Sequence, residues 1–224
     1  MKLFIDSTNL DEIKEASSWG IIDGVTTNPA LIAKGGEDME ATLRAVLDVS
    51  PGDVFCQVAG SEDLESLKGQ ARWLHAFDPR IIVKLPMTVA GVRAVVELKK
   101  EDPGMRIAVT TVASLAQAYL AGKAGADVVA LFNGALAEVI DQDVDMVLPV
   151  KQMYANYGFK TKVLSCGRLP RGFGEFAVDG TDYCTLKFEF LKKLFEHPFT
   201  DKRILGFAKD WGKVFGEKTW PVME

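Results

Sequence analysis

A lysine interrupts the apolar run "IIVKLP", residues 81–86. The flanking isoleucine, valine and leucine residues are typical of a strand buried on both faces, and Pro86 ends it. Burying the charge of Lys84 is unfavourable unless that charge is paired or given up. An amine attacks a carbonyl carbon only when it is neutral, and desolvation favours that form, so Lys84 is a candidate Schiff-base nucleophile. The alternatives are that Lys84 reaches from the strand end to solvent or pairs with Asp6.

Polar side chains also end the other short apolar runs of the chain. Each of them alone has an ordinary explanation, because Thr and Asp at strand ends often cap the following helix. Together they indicate a functional site if the strand ends converge on one mouth, as they do in a barrel. The strand-end residues are Asp6, Thr26, Thr27, Asn28, Gln57, Thr110, Thr111, Asn133, Ser165, Arg168 and Lys187.

Apolar runs alternate with helical patterns throughout, which indicates repeated strand–helix units and a parallel sheet. Asn9 and Ser61 are predicted helix N-caps, and Gly125 marks the end of a helix. Eight units predict a closed (β/α)8 barrel, a TIM barrel of the α/β class, with a doubly wound open sheet as the alternative. Neither GxGxxG after the first strand nor a Walker loop occurs. The predicted strands span residues 2–6, 24–27, 54–59, 81–86, 106–111, 128–133, 161–166 and 183–187.

We expect one domain over residues 1–224, in which residues 200–224 form an extra C-terminal helix and tail. This helix carries more apolar side chains than a last helix needs, so we expect it to pack on a neighbouring subunit. The apolar side chains are Ile204, Leu205, Phe207, Ala208, Trp211, Val214 and Phe215.

Composition excludes several classes of protein. The net charge of −5 and the pI near 5.2 argue against nucleic acid as a partner. No apolar run approaches a membrane span, and the N-terminus lacks a signal-peptide pattern, so we expect a cytoplasmic protein without a membrane partner. Three cysteines without CxxC spacing indicate neither a disulfide framework nor a zinc site. A lysine Schiff base needs no metal, and we predict no metal and no cofactor.

Three segments of the chain resemble the transaldolase family. They are "FIDSTNLDEIKEASSWGIIDGVTTNPALIAK", "IIVKLPMTVAGVRAV" and "TVASLAQAYLAGKAGADVVALF". The closest resemblance is to the short branch that includes fructose-6-phosphate aldolase and small bacterial transaldolases. It runs over nearly the whole chain, to "FAKDWGKVFG". "GVTTNP" followed by a strand ending in "VKLP" is its most specific part.

The resemblance implies an α/β barrel and metal-independent Schiff-base chemistry, with Lys84 as the nucleophile. It implies that Asp6 is the acid/base at the C4 hydroxyl of the sugar and that Asn28 binds donor hydroxyls, with Thr26 beside it. It also implies that Gln57 and Thr110 hold the water that shuttles protons.

Phe132 is the first departure from fructose-6-phosphate aldolase, which has a tyrosine at the matching position, whereas transaldolases have a phenylalanine. The tyrosine helps to protonate the bound dihydroxyacetone carbanion and so favours release. A phenylalanine has no proton to give, which favours transfer to an acceptor. Gln57, however, stands where transaldolases of the longer type have a glutamate, so the site is a mixture.

The second departure concerns the anion at the far end of the sugar. The family places an arginine where this chain has Ala135, and a serine where it has Gly167. Arg168 lies one place from the family's basic position. We expect an anion site from Asn133, Gly134, Ser165 and Arg168, with phosphate or sulfonate as the anion.

The sequence therefore predicts a transaldolase that passes a dihydroxyacetone unit from fructose 6-phosphate or 6-deoxy-6-sulfofructose to an aldehyde. An aldolase that releases dihydroxyacetone is the alternative, and an inactive sugar-phosphate sensor on the same barrel is a more distant one. The resemblance also implies a homo-oligomer, as a ring or stacked rings.

Overall fold

Eight parallel strands form a closed barrel in the computed structural model, which describes residues 1–36, 38–60, 62–133, 145–167 and 170–221. Each strand pairs with the next, and β1 pairs with β8 to close the ring. The strands are β1 (Lys2–Asp6), β2 (Gly24–Thr26), β3 (Asp53–Gln57), β4 (Ile81–Pro86), β5 (Ile107–Val112), β6 (Val128–Leu131), β7 (Lys162–Cys166) and β8 (Tyr183–Leu186).

Ten helices occur within the described ranges, and they connect or follow the strands. They are α1 (Leu10–Ser18), α2 (Pro29–Lys34), α3 (Met39–Val49), α4 (Leu64–Phe77), α5 (Val89–Glu101), α6 (Leu115–Lys123), α7 (Val147–Tyr157), α8 (Pro170–Val178), α9 (Phe188–Lys193) and α10 (Pro198–Phe215). Apolar side chains from the outer face of the barrel and the inner faces of these helices form the main core.

The predicted barrel is confirmed, and the doubly wound sheet is excluded by the pairing of β1 with β8. Asn9 caps α1, since its Oδ1 accepts hydrogen bonds from the backbone of Asp11 and Glu12. The predicted cap at Ser61 lies outside the described residues. The side chain of Asp63 caps α4 instead, by accepting from Ser66 N at 3.1 Å.

The interior of the barrel contains a second, smaller core, which we call the floor. Its residues are Phe4, Phe55, Ile82, Ala108, Val128, Ala130, Leu164 and Tyr183. The rings of Phe4, Phe55 and Tyr183 pack edge to face with centroids 5.2–5.8 Å apart. Because inward positions alternate along a strand, the next inward residue on each strand lies one layer above the floor, towards the C-terminal ends.

Helix α10 differs from the other long helices because none of its residues is buried. Its large apolar side chains are mostly exposed: Ile204 60%, Leu205 70%, Phe207 60% and Val214 74%. Across the described part of the chain, no helix is long and apolar enough to cross a membrane.

Candidate active site

A cavity of about 480 Å³ opens above the floor at the C-terminal ends of the strands. On five strands, the residue two positions beyond a floor residue is polar and lines this cavity: Asp6, Gln57, Lys84, Cys166 and Thr185. Eight of the candidate residues singled out in the sequence line it, namely Asp6, Thr26, Asn28, Gln57, Lys84, Thr111, Phe132 and Lys187.

Lys84 lies on β4 beside Gln57 of β3, and only 7% of its surface is exposed. Its Nζ donates a hydrogen bond to the backbone oxygen of Thr27 at 2.9 Å. It forms no ion pair with Asp6, and its burial excludes a side chain that extends to bulk solvent. Both ordinary explanations considered from the sequence therefore fail. The amine is therefore buried at the wall of the cavity, where a bound ligand can contact it.

Asp6 belongs to a short chain of hydrogen bonds across three neighbouring strands. Its Oδ1 accepts from the Thr26 hydroxyl at 2.8 Å, and the Thr26 oxygen lies 2.6 Å from the Thr185 hydroxyl oxygen. Since Thr26 gives its one proton to Asp6, Thr185 must donate to Thr26. This chain orients the carboxylate, and no described residue bonds to its Oδ2, which can accept a proton from a ligand.

Asn28 has a structural role and a position in the cavity at the same time. Its Oδ1 caps α2 by accepting from Leu31 N at 3.0 Å. This bond fixes the side-chain amide and leaves its Nδ2 group as a donor at the cavity wall. The capping explanation and the ligand-binding explanation are therefore compatible.

Thr110 carries a hydroxyl that is fully buried and has no hydrogen-bond partner. A buried unpartnered hydroxyl is unfavourable by about 1–3 kcal/mol, and a bound water would remove that penalty. Thr110 and Gln57 lie on the two strands that flank β4. Gln57 pairs with Lys84 itself, whereas Thr110 pairs with Pro86, two residues further along the strand.

Thr111 follows in a backbone conformation that is rare for a β-branched residue, with φ of +61°. The register of β5 against β6 shifts between Val109 and Val112, which marks a bulge at this point. The Thr111 hydroxyl donates to the Thr110 backbone oxygen at 2.6 Å and accepts from Met87 N at 3.3 Å. Backbone strain of this kind often accompanies functional sites.

Ser165 does not belong to the cavity, contrary to the sequence-based expectation. It is fully buried, and its hydroxyl lies 3.1 Å from that of Thr181. Leu164 belongs to the floor, so its neighbour Ser165 must face the opposite way, towards the helices. Asn133 is 2% exposed with an unpartnered amide and does not line the cavity. Gly134 and Arg168 lie outside the described residues.

Two further polar residues of the cavity, Cys166 and Thr185, were not singled out from the sequence, whereas Thr111 and Lys187 were among the strand-end candidates. The signal that could have identified these two residues is alternation from the floor. Leu164 leads to Cys166 on β7, and Tyr183 leads to Thr185 on β8. Such counting requires the register, which the sequence alone does not provide.

The thiols of Cys56 and Cys184, which face outward from the barrel, are expected to be unreactive. Burial raises the pKa of the Cys56 thiol, although a hydrogen bond with Thr27 and the charge of nearby Lys84 oppose this shift. Burial, together with the neighbouring Cys166, raises the pKa of Cys184 to about 12. Both groups stay protonated at neutral pH, and a protonated thiol is a poor nucleophile.

A closed (β/α)8 barrel with a buried lysine, a carboxylate and an amide at one mouth has the arrangement of groups typical of an enzyme active site. Residues 3–219 match the family described as Transaldolase/Fructose-6-phosphate aldolase. The chain belongs to this family and is an enzyme of the transaldolase/aldolase class.

Relatives over nearly the full length agree with this assignment. A "Probable transaldolase" of Aquifex aeolicus is 39% identical over 96% of this chain and 98% of its own length. Proteins of the same description from Kosmotoga olearia and Syntrophobacter fumaroxidans are 40% and 41% identical. The alignments cover 94% and 96% of this chain, and 96% and 98% of the relatives.

Proposed function

We propose that this enzyme is a transaldolase that forms a Schiff base at Lys84. In the proposed reaction it passes a dihydroxyacetone unit from a ketose with a terminal anion to an aldehyde acceptor. The observation that carries the proposal is the placement of Lys84, which is buried at the end of β4, faces a cavity and forms no ion pair with the cavity's carboxylate. A lysine with only a structural role would be expected to pair or to reach solvent.

The proposed reaction begins with attack of the neutral Lys84 amine on C2 of the ketose. Loss of water gives an iminium, which withdraws electrons from the neighbouring C3–C4 bond. Asp6 takes the proton of the C4 hydroxyl, the C3–C4 electron pair moves into the iminium, and C4 leaves as an aldehyde. The enamine left on Lys84 then attacks the carbon of an acceptor aldehyde, whose oxygen takes the proton, and water releases the new ketose.

The neighbouring polar groups support this sequence of steps. The Thr26–Thr185 chain holds one oxygen of Asp6 and leaves the other for the C4 hydroxyl. Gln57 and the unpartnered hydroxyl of Thr110 suit a water that adds to the iminium and carries protons. Nδ2 of Asn28 can donate to a hydroxyl of the donor sugar.

Transfer is preferred over release because Phe132 lines the cavity and has no hydroxyl with which to protonate the enamine. The alternative activity is a fructose-6-phosphate-type aldolase that releases dihydroxyacetone. The more distant alternative, a sensor without catalysis, does not explain why the amine of Lys84 is buried at the cavity.

Fructose 6-phosphate and 6-deoxy-6-sulfofructose are the two proposed donors. Ala135 stands where the resemblance leads one to expect a cation, and Arg168 lies one place from the family's basic position in the sequence. A phosphate ester carries nearly two charges at neutral pH and a sulfonate carries one, so fewer cations favour the sulfonate. The ratio of kcat/KM for the two donors in the wild-type enzyme identifies the head group.

Borohydride reduction in the presence of a ketose tests the proposed chemistry. The wild-type chain should gain the mass of one reduced sugar fragment, located on Lys84 by peptide mass spectrometry. Lys84→Arg keeps the charge but cannot form the imine, and Lys84→Met removes both. Neither variant should be trapped or turn over, and full activity of either would overturn the mechanism. A sensor would bind sugar without being trapped.

A further inference from the structure

Lys187 stands at the rim of the active-site cavity, directly after β8. The inward positions of this strand run from Tyr183 in the floor to Thr185, which bonds to the Thr26 hydroxyl, and then to Lys187. Lys187 therefore lies one layer nearer to solvent than the catalytic groups. Its side chain is exposed, whereas Lys84 is 7% exposed.

The closed barrel places the two lysines on opposite sides of the mouth. The strand order is β1 to β8 in sequence, so β4 and β8 are separated by three strands in both directions. Lys84 is deep on one wall, and Lys187 is high on the facing wall. A chain-like molecule attached to Lys84 by one end would extend towards Lys187 with its other end.

The charge of Lys187 is available to a ligand. Among the described residues that line the cavity, Lys84 and Lys187 are the cations and Asp6 is the carboxylate. No described carboxylate pairs with Lys187. Its backbone oxygen accepts hydrogen bonds from Phe190 N and Leu191 N, which fixes the backbone of the residue, and no side chain in the described ranges pairs with its ammonium group.

The end of the neighbouring strand is a glycine that packs closely against the residue before Lys187. Gly167 follows β7 and lines the cavity beside Lys187. A Cβ at this position would lie 2.7 Å from Cδ2 of Leu186, which is buried, so a side chain at position 167 would require Leu186 to move. Residue 167 is therefore held to glycine by this packing and provides no side chain that could bind an anion.

We infer that Lys187 binds the terminal anionic group of the sugar, a phosphate or a sulfonate on the carbon farthest from the carbonyl. This assignment rests on the proposed function, because it takes the carbonyl end of the ketose to be held at Lys84. The ends of strands seven and eight commonly form the phosphate site in barrels of this type. A single ammonium provides a point charge with three donors, which suits either anion.

Kinetics of Lys187→Gln test the assignment. We expect kcat/KM for fructose 6-phosphate or 6-deoxy-6-sulfofructose, whichever the wild type prefers, to fall about 10- to 100-fold, mostly through KM. With fructose, which lacks the anion, kcat/KM should change less than about twofold, and Lys187→Arg should recover part of the loss. Lys192→Gln, which removes an exposed lysine from α9, is the matched control and should behave as wild type. Equal losses on anionic and neutral ketoses, or no loss on either, would overturn the assignment.

A binding measurement separates this inference from the proposed function. Sodium sulfate should raise the melting temperature of the wild type and of Lys192→Gln more than sodium chloride at equal ionic strength. In Lys187→Gln this difference should shrink to the general stabilisation that sulfate gives any protein. If no ketose is trapped on Lys84 but the sulfate effect depends on Lys187, the anion site stands and the Schiff-base function falls. A sulfate effect that is the same in all three proteins would refute the anion site.

Discussion

Phe132 is the residue on which the balance between transfer and release should depend. Phe132→Tyr places a phenolic hydroxyl at the wall of the cavity that holds Lys84, where it can deliver a proton to the enamine. We expect the ratio of dihydroxyacetone release to transfer to rise by about tenfold or more. Quantifying free dihydroxyacetone and the transfer product, with and without acceptor aldehyde, measures this ratio.

Phe132→Leu is the control, because it changes the ring without adding a proton donor. It should not increase release as the tyrosine variant does. If the wild-type enzyme already releases dihydroxyacetone as fast as it transfers it, Phe132 does not have the role given to it here.

Single cavity residues could be predicted from the sequence where the chemistry of a side chain conflicts with that of the residues around it in the chain. Lys84 inside an apolar strand is such a conflict, and the structure places it in the cavity. Ser165 was misplaced because a shift of one residue along a strand reverses the facing side. The backbone conformation of Thr111 could not be anticipated, since threonine rarely adopts a positive φ and the bulge depends on packing between strands.

At the level of elements, helix α5 approaches the strand that carries Lys84 very closely. A Cβ on Gly91 would lie 2.0 Å from the backbone oxygen of Pro86, which ends β4. Gly91→Ala must separate the helix from the strand end. We expect a loss of about 1–3 kcal/mol in the free energy of unfolding, measured by urea titration, together with reduced activity.

Gly69→Ala in α4 is the matched control. A Cβ on Gly69 would meet nothing within 4 Å, so the better helix propensity of alanine should leave stability equal or raise it by up to about 1 kcal/mol. Equal stability of the two variants at one protein concentration would contradict the close-packing explanation.

Asp145 affects stability at the start of α7 in a pH-dependent way. Its Oδ1 accepts from Val147 N at 2.8 Å. Burial, a hydrogen bond with Asp179 and the charges of Asp179 and Glu175 raise the pKa of Asp145 to about 6. The folded protein therefore holds this proton more tightly than the unfolded chain. The contribution is fully present below about pH 4 and is lost as the pH rises through about 6.

Asp145→Asn keeps an oxygen acceptor for Val147 but cannot ionise. We expect it to raise the free energy of unfolding by about 0.5–1 kcal/mol at pH 7.5, a value reduced for solvent screening. The gain should shrink at pH 4.5. Denaturant titrations at both pH values provide the measurement, and a gain independent of pH would contradict this explanation.

The elements themselves were largely predictable, because each short apolar run is followed by a cap or turn signal. Asn9 begins α1 as expected, and Gly125 follows α6 with φ of +85°. The ends of elements were less predictable. The N-cap of α4 is Asp63 rather than Ser61, since several polar residues in this stretch could begin the helix.

At the level of the whole molecule, α10 presents an apolar face that the rest of the described chain does not cover. Such a face favours association, and we propose that it packs on other copies of this chain in a homo-oligomer. Light scattering of the full-length protein should give a mass several times that of one chain. Ile204→Glu combined with Phe207→Glu should lower this mass, because both side chains are about 60% exposed on that face.

Lys209→Glu on the polar side of the same helix is the control, and its mass should stay that of the wild type. A wild-type protein that is monomeric at micromolar concentration would refute the proposal.

The floor of the barrel determines how molecules reach and leave the lysine. Phe4, Phe55 and Tyr183 fill the interior beneath the cavity, and a separate hollow of about 600 Å³ lies on the other side, at the N-terminal ends of the strands. Molecules therefore reach and leave Lys84 through the opening at the C-terminal ends of the strands. In a transfer reaction the first aldehyde must depart before the acceptor enters, while part of the donor stays attached to the protein. Because the cavity is closed at its floor, release of the first aldehyde must precede binding of the acceptor. Two-substrate kinetics should therefore follow a ping-pong scheme.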